Sequence, residues 1–116
     1  MKTGIKEVSS KYFIDEQKGV VVCLIGGYTS FLSDDLCQPF EVKGIARCHK
    51  EDKFDETRGC RLAESRAKYK MFKLAESRAR HLKKQLSNLA SEVDAKINSN
   101  ITCQNKEAKH LEELNK

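Results

Sequence analysis

Between Leu62 and Arg80 the chain reads LAESRAKYKMFKLAESRAR, and the hexamer LAESRA occurs twice at an offset of twelve residues. Such a stretch, rich in Ala, Leu, Glu, Lys and Arg, has high helix propensity. At about 100° per residue, twelve steps turn the second copy by roughly 120°, so the two copies cannot face one partner. In the first copy Ala63 and Ala67 align with Cys60 and Leu74. In the second, Ala75 and Ala79 align with Met71, Phe72, Leu82, Leu86, Leu89, Ala90, Val93 and Ile97. The later set occupies an arc of roughly 100°, the stripe of a helix packed along one side. The apolar seam therefore turns near residues 68–74, and two different surfaces must cover its two parts.

A helix starting near residue 55 and ending near 97 would be about 60 Å long, whereas a strand of six residues covers about 20 Å. The seam outruns any sheet this chain can build. A short C-terminal helix can fold back over part of the remainder, and the rest predicts a second copy of the chain, a homodimer or higher oligomer.

Upstream, residues 5–48 read as strands. KYFI at 11–14 precedes a polar turn, DEQKG at 15–19. VVVCLI at 20–25 is an apolar run rich in β-branched residues, as expected of a central strand. GGYTSFLSDDLCQP at 26–39 reads as a loop holding the chain's one proline. In FEVKGIARC at 40–48, Phe40, Val42, Gly44 and Ala46 share one face, and Glu41, Lys43 and Arg47 share the other with Ile45. This predicts a three-stranded antiparallel meander with one face against helix. Asp55 is placed to cap the long helix, with Glu56 in its first turn. Gly59, inside the helix, is costly unless another group approaches it closely. Asn98-Ser99-Asn100 read as a break, and Thr102 as the cap of a short final helix over 102–115. The expected fold is thus α+β in one domain, 1–116: a sheet region at 5–48, a long helix at 55–97 and a short C-terminal helix.

The net charge of +5 is unevenly placed. Residues 58–84 hold five Arg and five Lys against two Glu. Such a segment suits an anionic partner, or keeps a small protein soluble as a solvated face. The odd number of cysteines, five, cannot be fully paired within one chain. With no signal-peptide pattern at the N-terminus, this points to free thiols in a reducing cytoplasm. No apolar run approaches membrane-spanning length. No CxxC occurs, and Cys48 and His49 are adjacent, so no metal site is expected.

No P-loop, GxGxxG or GxSxG is present, so no cofactor is implied and no catalytic set assembles from His49, His81 and His110. The expectation is a binding protein and not an enzyme. Gly26-Gly27 fit either a phosphate-binding turn or the start of a loop. The best candidate groups lie at the sheet–helix junction: Arg47, His49, Arg58 and Arg61, beside the free N–H groups of a helix N-terminus. Arg47 or Arg61 equally suits an ion pair with Asp52, Asp55 or Glu56. Near the expected break, Asn98, Asn100, Asn105 and Lys109 suit either a base or ribose edge or helix capping. Tyr28 and Phe31 suit either base stacking or closure of the core edge.

The junction also carries a resemblance. KGIARCHKEDKFDETRGCRLAESRAK, 43–68, is similar to a pattern of small proteins from phages of Gram-positive bacteria: a strand, Cys-His, acidic and Lys residues, Phe-Asp, a helical Gly, then Leu-Ala and Arg-Ala. With the basic helix that follows, the layout resembles the first family of phage Thoeris anti-defence proteins. Lys50 stands where a proline commonly follows the His. The resemblance implies a non-catalytic, homo-oligomeric sponge that sequesters a nucleotide second messenger, a cyclic nucleotide or cyclic ADP-ribose isomer, in the cytoplasm of the infected host cell. The alternative is a nucleic-acid-binding phage protein using the stripe Arg66, Lys70, Lys73, Arg80 and Lys84.

Overall fold

The computed structural model describes residues 2–32, 36–49 and 52–116. Three strands, β1 (Ile5–Asp15), β2 (Val20–Thr29) and β3 (Gln38–Arg47), form an antiparallel sheet in the order β1-β2-β3. One helix follows, α1 (Glu56–Leu114). The chain divides into two compact units, Met1–Ala79 and Arg80–Lys116. The α+β class and the sheet-then-helix order are those predicted from the sequence.

In the first unit, alternation along β2 places Val21, Cys23 and Ile25 on the buried face. Phe40 and Ala46 join them from β3, and Ala63, Ala67 and Met71 from α1. The helix contributes mostly alanine, so its backbone comes close to the sheet. Gly44 is what permits this: a Cβ there would overlap the Ala63 carbonyl oxygen and the Ala67 amide nitrogen. The early part of the seam is therefore covered by the sheet, through residues spaced four apart.

Two expectations fail in instructive ways. The stretch 26–39 is not a single loop, since β2 runs on to Thr29 and β3 begins at Gln38. Gly26 and Gly27 are strand residues and form no phosphate-binding turn. Gly27 sits against the β1 backbone, where a Cβ would overlap the Lys6 carbonyl oxygen, and the register of β1 shifts here between Glu7 and Ser9. Pro39 is tolerated because β3 is an edge strand, so a missing N–H need not break a ladder.

The second correction concerns the helix. Asn98-Ser99-Asn100 do not end it, and no separate helix begins at Thr102. The side chains of Ser99, Asn100 and Thr102 turn back onto the carbonyls of Ala95, Lys96 and Asn98, at 3.1, 2.9 and 3.1 Å. Groups that elsewhere compete with a helix are spent on it here, four residues back. In the second unit the positions after Leu82 are exposed throughout. Among the described residues, no helix is long and apolar enough to cross a membrane.

Candidate ligand site at the strand–helix junction

The chain passes from β3 to α1 through residues 48–55, and its fixed points shape a cleft. The Cys48 amide donates to the Gly19 carbonyl at 2.7 Å, tying the connection to the β1–β2 turn. The Cys48 thiol lies 3.5 Å from the His49 carbonyl and 3.6 Å from that of Asp52. Asp55 caps the helix as the sequence predicts: its Oδ1 accepts from the Arg58 amide at 3.2 Å. Gly59 answers its own cost, because a Cβ there would stand 2.9 Å from Cγ2 of Val21. Strand and helix can then diverge from a narrow base.

The resulting cleft has a volume of about 430 Å³, within the usual span of small-molecule sites. Val21, Ala46 and Leu62 form its apolar part, and Arg47, His49 and Arg58 reach it from the strand end, the connection and the helix. Lys53 adds a further cation, while Asp52 and Asp55 supply two carboxylates. Arg58 and Asp55 also border a shallower depression of about 420 Å³ that holds Arg61.

Three of the expected site residues, Arg47, His49 and Arg58, thus share one cleft, and Arg61 lies in the depression that adjoins it through Arg58. The other three do not line it. Tyr28 is eight residues along β2 from Val20, roughly 26 Å at the rise of a strand. It stands on the sheet face opposite the helix. Asn100 and Lys109 belong to the second unit, where Asn100 is engaged with the Lys96 carbonyl. Lys53 and Phe54 line the cleft too; both fall within the motif at 43–68 but were not among the expected site residues. Their position between Cys48-His49 and the Asp55 cap was the available signal. Lys50 and Glu51, in the same connection, lie outside the described residues.

The basic stripe of α1 is largely committed elsewhere. Arg66 donates to the Ile45 carbonyl at 2.6 Å and Lys70 to the Lys43 carbonyl at 2.8 Å. Both acceptors are on β3, the sheet edge. Arg78, from the same helix, donates to the Thr29 hydroxyl at 2.9 Å and to the carbonyls of Gln38 and Pro39 at 3.2 and 3.0 Å. The Lys73 ammonium sits 5.6 Å from the centre of the Tyr69 ring. On the other flank of the helix, the Tyr12 hydroxyl donates to Glu64 at 2.9 Å, and Glu64 pairs with Lys68 at 2.7 Å. The Lys68 bond, then the Tyr12 bond, holds the Glu64 carboxyl below its ordinary range. The same Glu64 contact pushes the Tyr12 phenol up to about 12. The Cys60 thiol is pushed up chiefly by burial, which disfavours the reactive thiolate. Among the described residues no cluster of His, Cys, Asp and Glu could hold a metal ion.

Comparison with protein-family profiles, curated proteins and solved structures finds no match for this chain.

Proposed function

We propose that this protein is a non-catalytic binder that sequesters a small phosphorylated nucleotide, of the cyclic nucleotide or cyclic ADP-ribose type, in the cytoplasm of an infected cell. The observation that carries the reading is the junction cleft, where Arg47 and Arg58 meet His49 beside the N-terminus of α1. Guanidinium forks favour phosphate oxygens, and the positive end of the helix dipole favours an anion nearby. The apolar part of the cleft suits a base or sugar. Arg61 extends the cationic surface on the solvent side. The resemblance over residues 43–68 supports the same ligand class, and it adds self-association to the reading.

Duplex nucleic acid is the rival ligand. It is the weaker reading because Arg66 and Lys70, two of the five cations such an interface would use, already bond sheet carbonyls. Purified protein incubated with a panel of cyclic nucleotides and cyclic ADP-ribose isomers, then washed and denatured, should release one of them chemically unchanged. Recovery of a cleaved product would make the protein an enzyme. Failure to retain any nucleotide, with tight duplex binding that falls steeply with salt at a log–log slope of about −0.9 per phosphate neutralised, would replace the proposal with the rival.

A further inference from the structure

The second unit presents an apolar stripe that its own residues leave uncovered. Leu86, Leu89, Val93, Ile97, Ile101 and Leu111 are between 44% and 60% exposed. Spacings of three and four from Leu86 to Ile101, and of ten from there to Leu111, keep them on one side of the helix. Charge is distributed along this helix in a way that bears on what could cover them. Residues 80–91 contain no acidic residue but hold Arg80, Lys83 and Lys84. Residues 107–113 hold Glu107, Glu112 and Glu113 against Lys109. A helix basic at one end and acidic at the other, with an apolar stripe between, is complementary to a reversed copy of itself.

We propose that residues 82–114 pair with the same segment of a second copy in antiparallel orientation, about a two-fold axis near Ile97. This deepens the self-association in the functional reading and is argued from the second unit alone. With the axis there, Ile97 meets its own counterpart, Val93 lies level with Ile101 of the other copy, and Leu86 lies level with Ala108. Nearer the ends, Leu82 falls beside Leu111 on one flank of the seam, and Lys83 falls beside Glu112 on the other. Symmetry makes each of these pairs occur twice, except Ile97 with its counterpart, which lies on the axis. A segment of this size is about 50 Å long, room for several turns of seam on each copy. A parallel pair would bring basic end beside basic end and acidic end beside acidic end, with the two helix dipoles side by side. Like charges so placed are destabilising, whereas reversed dipoles attract.

The test measures self-association of the full chain without nucleotide by analytical ultracentrifugation over a range of concentrations, and reads orientation from a charge swap. Wild type should sediment as two chains. Lys83→Glu and Glu112→Lys should each raise the dimer dissociation constant about tenfold, because two exposed pairs turn from attractive to repulsive. The double variant should return to near the wild-type value. Leu89→Asp should abolish pairing while leaving the melting of the first unit unchanged. A wild-type mass of one chain would overturn self-association altogether. A dimer that neither single charge variant weakens would overturn the antiparallel arrangement while leaving self-association and the ligand reading standing. Retention of nucleotide is a separate measurement, so its failure would not touch the pairing.

Discussion

Gly44→Ala adds one methyl group at the point where α1 lies closest to the sheet. The new Cβ would overlap the Ala63 carbonyl oxygen and the Ala67 amide nitrogen, and would stand 3.0 Å from the α-carbon of Ala67. All three are helix backbone atoms, so no side chain can turn aside to relieve the overlap. Carbon atoms prefer separations of about 3.5–4.0 Å, so the helix must lift by roughly 0.5 Å to clear that α-carbon, and by more to clear the oxygen. A gap of about 0.5–1 Å forfeits a quarter to a half of the attraction between facing atoms. The residues that would be pulled from the sheet, Ala63, Ala67 and Met71, are among the most buried in the protein, at 0%, 0% and 2% exposure. Overpacking of this kind usually costs about 1–3 kcal/mol, and a purely backbone clash belongs at the upper end. At about 3 kcal/mol, and about 4–8 °C per kcal/mol for a domain of this size, the melting temperature should fall by roughly 12–24 °C. Thermal unfolding followed by circular dichroism, with a denaturant titration alongside, would read this. A fall of under about 4 °C would mean that less than about 1 kcal/mol was lost, and would refute the claim that backbone packing at Gly44 sets the helix–sheet distance.

Arg78→Ala removes the donor shared by Thr29, Gln38 and Pro39, and should cost about 2 kcal/mol in denaturant unfolding, since bonds from a charged donor are each worth about 1.5–3 kcal/mol when buried and less at a partly exposed site. Arg47→Lys keeps the charge but loses the guanidinium fork, so calorimetric titration of the retained nucleotide should show tenfold to hundredfold weaker binding, a loss of roughly 1.4–2.8 kcal/mol; Lys73→Ala, outside the cleft, should change the affinity little. Tyr12 should ionise at about 12, after the ordinary tyrosine range, and ultraviolet titration of Glu64→Gln should bring that step back toward about 10. The sign follows from the raised value: this interaction stabilises the fold below the ordinary tyrosine pKa of about 10, and the contribution is lost as pH rises through about 12. Glu64 acts at the other end, its lowered pKa giving stability above the ordinary carboxylate range that is lost as pH falls through the lowered value.

What the sequence made legible was governed by local chemistry. The apolar run at 20–25, the alternation in FEVKGIARC and the Asp55 cap each depend on residues close in the chain, and each appears in the structure where expected. The strand ends at Gly26-Gly27 and Pro39 were hidden because those residues ordinarily mark turns. They are accommodated by what lies across the sheet, the β1 backbone for Gly27 and an open edge for Pro39. The supposed break at 98–100 was hidden for the opposite reason, because Asn and Ser carry the same hydrogen-bonding groups whether they end a helix or bond back along it. At the site, Arg47, His49 and Arg58 were legible because the cleft is built where two predicted elements meet. Tyr28 was misplaced with them, since the stretch that read as a loop is strand and holds it far along β2 from the junction. The bonds of Arg78 with Thr29 and of Tyr12 with Glu64 join residues 49 and 52 positions apart, and no local pattern announces them.

The cations that α1 lays along β3 also decide how this sheet can grow. Carbonyls at Lys43 and Ile45 are already occupied by Lys70 and Arg66, so an incoming strand would have to displace two charged donors before it could dock there. β1, at the opposite side, carries no such guard from the helix along Ser9 to Asp15 among the described residues, apart from the Tyr12 side chain that faces Glu64. A sheet with one guarded margin and one open margin can be joined once and then stops. Two chains meeting along β1 would form six continuous strands, twice the three of one chain, with a guarded margin at either end and no open sheet margin left. Endless growth of the sheet itself needs two open margins on every unit. The helix therefore does for this small sheet what a barrel does by closing on itself: it sets an upper limit on how many strands can be recruited.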